Sequence, residues 1–414
     1  VPNFFVILSA AKNFNLYEVA MIVPGFRFAA AAAGIKKPGE LDLALMVADA
    51  PAAAAGVFTC NRVKAAPVLI SRERLRAGRA QAILVNAGNA NACTGPEGMA
   101  TARDTCRRAA ELLKIPERLV LPASTGVIGA PLPEDRITQA LPQLVSGLNS
   151  DGLGEAARAI MTTDTRPKAS LVKGIIGGRE FTLAGIAKGS GMIHPDMATL
   201  LVFIFTDAAA TPKVLKTLLR RALPVSFNRV TVDGDTSTND TILWLAGGKA
   251  GNALIEEDSG SEMTALGEAL NQVMGELAWQ VVADGEGARH AYKVLVQGAA
   301  TPAEAKKAAQ TVALSPLVKT AMAGEDVNWG RIMAALGRAG ARFDPERVEI
   351  AFGDCLVVQN GRGLGPVAEA AAQQVIKSGA FMITITLHAG DFADYYDTCD
   401  FTEDYIRINA SYRS

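Results

Sequence analysis

Apolar runs of strand length alternate along this chain with stretches whose apolar positions recur every three or four residues. "AQAILVNAG" (80–88) is followed by "MATARDTCRRAAELL" (99–113), and "TLLVFIFTDA" (199–208) by "TPKVLKTLLRRAL" (211–223), where Thr211 and Pro212 mark a helix start. The same period predicts helices over 263–282 and 302–313. "EIAFGDCLVVQNGRG" (349–363), "GPVAEAAAQQVIKSG" (365–379) and "AFMITITLHAG" (380–390) read as a strand, a helix and a strand. Such alternation belongs to an α/β or α+β protein. No internal repeat or low-complexity tract interrupts it.

A chain of 414 residues can bury one large core or two intertwined ones. Lys and Arg number 41 against 42 Asp and Glu, a formal charge of -1, so there is no basic footprint for nucleic acid or for a membrane surface. Small molecules and copies of itself are the expected partners. Cys60, Cys93, Cys106, Cys355 and Cys399 lie far apart with no C-x-x-C pair, and His194, His290 and His388 show no H-x-x-x-H spacing. Neither a disulfide framework nor a metal is therefore expected, and a reducing cytoplasm fits best. The apolar run Phe4–Ala11 is shorter than a membrane span and has no basic residue before it. Residues 1–20 read as an extension upstream of Met21.

Glycine, 39 residues in all, gathers in polar loops at strand ends: "VNAGNANACTG" (85–95), "PASTGVIGAP" (122–131), "TVDGDTSTND" (231–240) and "VADGEGARH" (282–290). Several such loops look like parts of one site. "NGRGLGPVAEAAAQQV" imitates a dinucleotide fingerprint, but Pro366 occupies the third glycine position and no acidic residue ends the next strand. "KGSGM" fails the spacing of a serine nucleophile elbow.

The densest loop chemistry precedes a buried strand, in "AKGSGMIHPDMATLLVFIFTDA" (187–208), with Thr199 at the junction. A threonine hydroxyl is a poor nucleophile unless a base lies beside it. Its own α-amino group, with a pKa of about 7.7–8.0, can be that base if the chain is cut immediately before it. Attack of the Thr199 hydroxyl on the Ala198 carbonyl, an N-to-O acyl shift and hydrolysis would make that cut. On chemistry alone, a β-branched residue opening a strand remains the commoner explanation.

"KGSGMIHPDMATLL" resembles the cleavage motif of the ornithine acetyltransferase family, the glutamate N-acetyltransferases of arginine biosynthesis. Further blocks resemble it in order: "GIKKPGELDLAL" (35–46), "VFTCNRVKAAPV" (57–68), "LVNAGNANACTG" (84–95), "ASTGVIGAPLP" (123–133), "AIMTTDTRPK" (159–168), "SFNRVTVDGDTSTNDT" (226–241), "DGEGA" (284–288), "LVKTAMAGEDVNWGRI" (317–332) and "YIRINASYRS" (405–414). The resemblance implies a layered α/β sandwich of the N-terminal-nucleophile type, shared with the β-peptidyl aminopeptidases. It also implies a precursor that cuts itself between Ala198 and Thr199. An α chain (21–198) and a β chain (199–414) then stay intertwined, usually as an α2β2 heterotetramer.

By the same resemblance Thr199 is the nucleophile, and Thr125 with Gly126 stabilise the oxyanion. Thr163, Lys188, Thr199, Glu286, Asn409 and Ser414 contact substrate. Without the resemblance, Thr125–Gly126 would be a glycine turn, and Lys188 and Glu286 exposed charges. The implied reaction moves acetyl from N2-acetylornithine to L-glutamate, giving L-ornithine and N-acetylglutamate with no bound cofactor. Acetyl-CoA is a second donor that some members accept. His194 and His290 carry no role over from the family and are read as structural. Two rivals remain open, a β-aminopeptidase-like hydrolase and an uncleaved binding protein.

Overall fold

The computed structural model describes residues 21–194, 200–257 and 259–411. Ala198, Thr199, Ser414 and the extension 1–20 lie outside the described residues. In chain order the strands are β1 (Phe26–Ala31), β2 (Leu43–Phe58), β3 (Arg79–Asn89), β4 (Val120–Val127), β5 (Lys168–Ile176), β6 (Arg179–Lys188), β7 (Leu201–Thr206), β8 (Val230–Thr231) and β9 (Thr241–Ala246). The later ones are β10 (Ala291–Ala299), β11 (Glu349–Phe352), β12 (Cys355–Gln359), β13 (Arg362–Gly363), β14 (Ala380–Thr386) and β15 (Phe392–Cys399). The class is α/β, as the alternating pattern predicts, and the chain divides into two units.

The first unit takes in residues up to Asn228 and Asp235–Val281. Its sheet runs β4-β3-β2-β9-β7-β6-β5, with β1 alongside β2. Side chains of a strand alternate between faces, and β2 sorts its residues accordingly. Leu43, Leu45 and Val47 join one core with Ala109 and Leu141, from helices Gly95–Leu113 and Glu134–Ser146. Ala44, Met46 and Ala48 join the other, with Phe28, Phe203, Phe205 and Leu245. Strand β7 is buried at all six positions, so both sheet faces are covered and its pattern is a continuous apolar run. Burying each of Phe203 and Phe205 contributes roughly 1.5–3 kcal/mol, and Phe205 packs its ring 5.2 Å from Phe26 and 5.1 Å from Phe28.

The second unit takes in Arg229–Gly234 and Val282–Arg413. Its mixed sheet runs β13-β12-β11-β14-β10-β15-β8, with β10 and β14 parallel. Tyr292, Val294 and Val296 of β10 share a core with Ile383 and Ile385 of β14 and with Ala308 and Val312 of helix Pro302–Ala313. That helix has the predicted bounds because Thr301 caps it, accepting from the Glu304 N–H at 3.2 Å, and Pro302 opens it. The stretch 349–363 is not one strand. It turns at Gly353, whose φ of +54° only glycine adopts readily, and β11 folds back on β12.

Among the described residues, no helix is long and apolar enough to cross a membrane.

Candidate active site

Among the described residues of the first unit, Thr163 and Lys188 flank one charged cluster, and Thr125 and Gly126 lie on β4. Lys188, the last residue of β6, is the ladder partner of Leu201, the first of β7. Leu201 in turn pairs with Thr241 at the start of β9. The strand that follows Thr199 in sequence therefore opens between Lys188 and the loop that ends at Asp240.

Lys188 is only 4% exposed and lies in a charged cluster. Asp164, with a fully buried side chain, holds Lys168 at 2.6 Å and Lys188 at 3.9 Å. Its carboxylate also accepts the Gly189 N–H at 2.7 Å and the Thr162 N–H at 3.0 Å. Burial pushes this carboxyl up, but Lys168 beside it, then Lys188 and the hydrogen bonds, outweigh that and hold it well below the usual carboxylate range. The same loop places Thr163 Oγ1 2.7 Å from Ser190 Oγ, so the hydroxyls on either side of the cluster touch.

Thr125 and Gly126 lie near the end of β4, which runs parallel to β3 with Gly88 opposite Gly126. Here glycine is required twice over. The φ is +129°, and a Cβ would sit 2.3 Å from the Gly88 carbonyl carbon. The backbone N–H groups at this crossing are thus set by a close approach that a side chain would forbid.

Two residues that sequence reasoning did not single out tie these parts together. Asn239 Nδ2 donates to the carbonyls of Ala90 (2.7 Å) and Ser124 (2.8 Å). Asp240 Oδ1 accepts the Leu200 N–H at 2.9 Å. Asp240 is 1% exposed, and burial raises its carboxyl well above the ordinary value despite the Leu200 N–H, the Thr59 hydroxyl and the Lys188 charge. The Thr59 hydroxyl spends its proton on the Ser237 carbonyl at 2.7 Å, which leaves Asp240 Oδ2 with no hydrogen bond among the described residues. The flagged loop 231–240 was a signal that could have found both residues; their partners, more than 30 positions away in sequence, were not visible.

In the second unit Asn409 Nδ2 donates to Glu286 Oε2 at 2.7 Å, so these two predicted residues are brought together. Glu286 is 7% exposed, a buried carboxylate and not the surface charge that composition alone suggests. Next to it, a Cβ on Gly287 would lie 2.6 Å from the Tyr405 nitrogen, so glycine lets helix Glu403–Ser411 approach closely. His290 shares Nδ1 with Asp400 at 2.9 Å inside this unit, a structural pairing.

Residues 27–414 match the family model described as "ArgJ family". The arginine biosynthesis bifunctional protein ArgJ of Geobacter sulfurreducens is 52% identical over 395 residues, 95% of this chain and 100% of that one. The protein of the same name from Symbiobacterium thermophilum is 49% identical, over 94% of this chain and 97% of its own. Among solved structures, a chain of arginine biosynthesis bifunctional protein argJ from Bacillus halodurans is 41% identical over 42% of this chain and 92% of its own, with a TM-score of 0.41. A chain of ornithine acetyltransferase from Mycobacterium tuberculosis, complexed with ornithine, is 37% identical over 44% and 95%, with a TM-score of 0.37. With the family model matched from residue 27 to the last, and relatives near half identity across their whole length, this chain belongs to the ArgJ family.

Proposed function

We propose that this chain transfers an acetyl group from N2-acetylornithine to L-glutamate through an ester on Thr199. Family membership over nearly the whole chain is the observation that carries the reading. The geometry supports it: Lys188 pairs with the first residue of β7, and the adjacent residues Asn239 and Asp240 join the peptide before Thr125 to the Leu200 N–H.

In the first half-reaction the Thr199 hydroxyl attacks the acetyl carbonyl while its α-amine takes the hydroxyl proton. Charge developing on the carbonyl oxygen is met by donors at Thr125 and Gly126. The amide C–N bond breaks, the α-ammonium returns the proton to the departing nitrogen, and L-ornithine leaves. Glutamate then attacks the ester through its amine, N-acetylglutamate departs, and the hydroxyl is restored. Acetyl-CoA would load the same hydroxyl from its thioester. Lys188 and Glu286 supply one cation and one anion for a substrate with a carboxylate and an amine at its ends.

The free α-amine requires a cut between Ala198 and Thr199. That position lies within the first unit, where β7 and β9 after it are hydrogen-bonded into one sheet with β2 and β6 before it. Cut chains would be held together by that ladder, in an α2β2 assembly working in the cytoplasm without a bound cofactor. Intact mass under denaturing conditions, N-terminal sequencing and an acetyl-exchange assay with labelled acetylornithine test the reading together. A fragment beginning Thr-Leu-Leu and label in N-acetylglutamate are expected. An uncut chain, or acetate released to water in place of transfer, would refute it.

A further inference from the structure

Residues 236–241 form a hub. Thr236 and Ser237 offer their carbonyls to Asn61 Nδ2 (2.9 Å) and Thr59 Oγ1 (2.7 Å), and Thr238 offers its carbonyl to the Ala65 N–H at 3.0 Å. The next two residues reach in opposite directions. Asn239 holds the Ser124 carbonyl, which belongs to the peptide group whose nitrogen is that of Thr125. Asp240 holds the Leu200 N–H, which belongs to the peptide group whose carbonyl is that of Thr199. The Thr241 N–H completes the second grip by donating to the Leu200 carbonyl at 3.0 Å.

We propose that Asn239 and Asp240 are positioning residues acting as a single brace, which fixes the peptide after Thr199 relative to the peptide before Thr125. The inference rests on the reading of Thr199 as the nucleophile and deepens it. Nucleophile and oxyanion donors must share a reacting carbonyl, and a displacement of about 1 Å can cost about a hundredfold in rate. Ser124 lies on β4 and Leu200 just before β7, and β3, β2 and β9 separate those two strands in the sheet. Ladder hydrogen bonds alone would transmit register across three intervening strands. Adjacent residues at one loop shorten that path to two side-chain hydrogen bonds.

Asp240 does this work through one oxygen: its Oδ1 accepts an amide proton, and burial raises its carboxyl well above the ordinary value. An amide side chain of the same shape should therefore replace it. Lys188 is the charged side chain that acts on this carboxyl from a neighbouring strand end.

The test uses the full-length chain made by pulsed cell-free translation, with a gel time course of cleavage and steady-state kinetics on the matured protein. Asp240→Asn is expected to cut and turn over within about threefold of wild type. Asp240→Leu and Asn239→Leu are expected to slow both cleavage and kcat about tenfold or more, the scale of a lost buried hydrogen bond, with KM little changed. Because the brace is one device, the double leucine variant should be about as slow as the slower single one. Folded leucine variants with wild-type rates would overturn the proposal, as would a folded but inert Asp240→Asn or fully additive losses. Should the leucine chains prove insoluble, Asp240→Ala and Asn239→Ala, which remove the same two hydrogen bonds with a smaller side chain, are read in their place against the same outcomes. A wild-type chain that stays uncut would instead overturn the Thr199 reading itself.

Discussion

Replacing Asp164 by Asn tests the charge cluster that seats Lys188. The Asp164 and Lys168 side chains are 0% and 1% exposed and lie 2.6 Å apart, so the change leaves a buried ammonium without its anion. Breaking a buried pair in this way costs about 3–5 kcal/mol. The amide also has a single acceptor oxygen where the carboxylate uses two, and either the Gly189 or the Thr162 N–H loses its partner. At roughly 2–4 °C per kcal/mol for a folding unit of a few hundred residues, Tm should fall by about 6 °C or more at pH 7.

The pH dependence fixes the cause. Because Asp164 is held below its unfolded value, its stabilisation is complete above that value and is lost as pH falls through the folded one. The Tm gap between wild type and Asp164→Asn should stay constant from pH 8 to about 5 and close below about 4, as read by scanning fluorimetry. The double variant Asp164→Asn/Lys168→Met, which removes both charges, should recover part of the loss. A single variant within about 1 °C of wild type at pH 7, or a gap that widens in acid, would refute the account.

Gly126→Ala forces a Cβ to within 2.3 Å of the Gly88 carbonyl carbon, so kcat should fall by about a hundredfold or more in the acetyl-exchange assay; a loss under threefold would count against an oxyanion role. Asn409→Ala removes the hydrogen bond to Glu286, and KM for acetylornithine should rise by roughly tenfold while that of a Gln variant changes less. Asp240 has a raised folded value, so wild type loses stability as pH climbs above the unfolded carboxylate value, and Asp240→Asn escapes that loss. The Tm of this variant relative to wild type should rise between pH 5 and 8, and a falling difference would contradict a buried neutral acid.

Helices were the legible part of this chain because their signals are local. Thr211 accepts from the Val214 N–H with Pro212 behind it, and Thr301 does the same for its helix, so cap and breaker could be read directly. Strands were harder where tertiary context overrides propensity. The run Leu43–Phe58 is rich in alanine and contains Pro51, both poor strand signals, yet it pairs with β1, β3 and β9. Pro51 is tolerated because the register shifts between Val47 and Ala52. The β5–β6 hairpin was overlooked although Gly177 and Gly178, at φ +55° and +77°, are the pair such a two-residue turn demands. Thr163, Lys188, Glu286 and Asn409 could be named from motifs. Asp164, Asn239 and Asp240 could not, since their importance lies in which distant groups they satisfy.

Those unnamed residues determine what charge the named ones present. Among the described residues, Lys168 and Lys188 both face the one carboxylate of Asp164. An ionised Asp240 would add a second negative charge nearby, because Lys188 acts electrostatically on this carboxyl. Burial opposes that ionisation by raising the Asp240 carboxyl well above its ordinary value. Lys36 adds to the same field: burial lowers its pKa first, while Asp42, Glu40 and Asp164 oppose that and Lys188 reinforces it. Buried cations so placed favour an anion over water. In the proposed reaction donor and acceptor are both amino acids, and the group common to them is the α-carboxylate. A cation at the end of β6 is therefore what the proposed reaction would use to hold the part that acetylornithine and glutamate share.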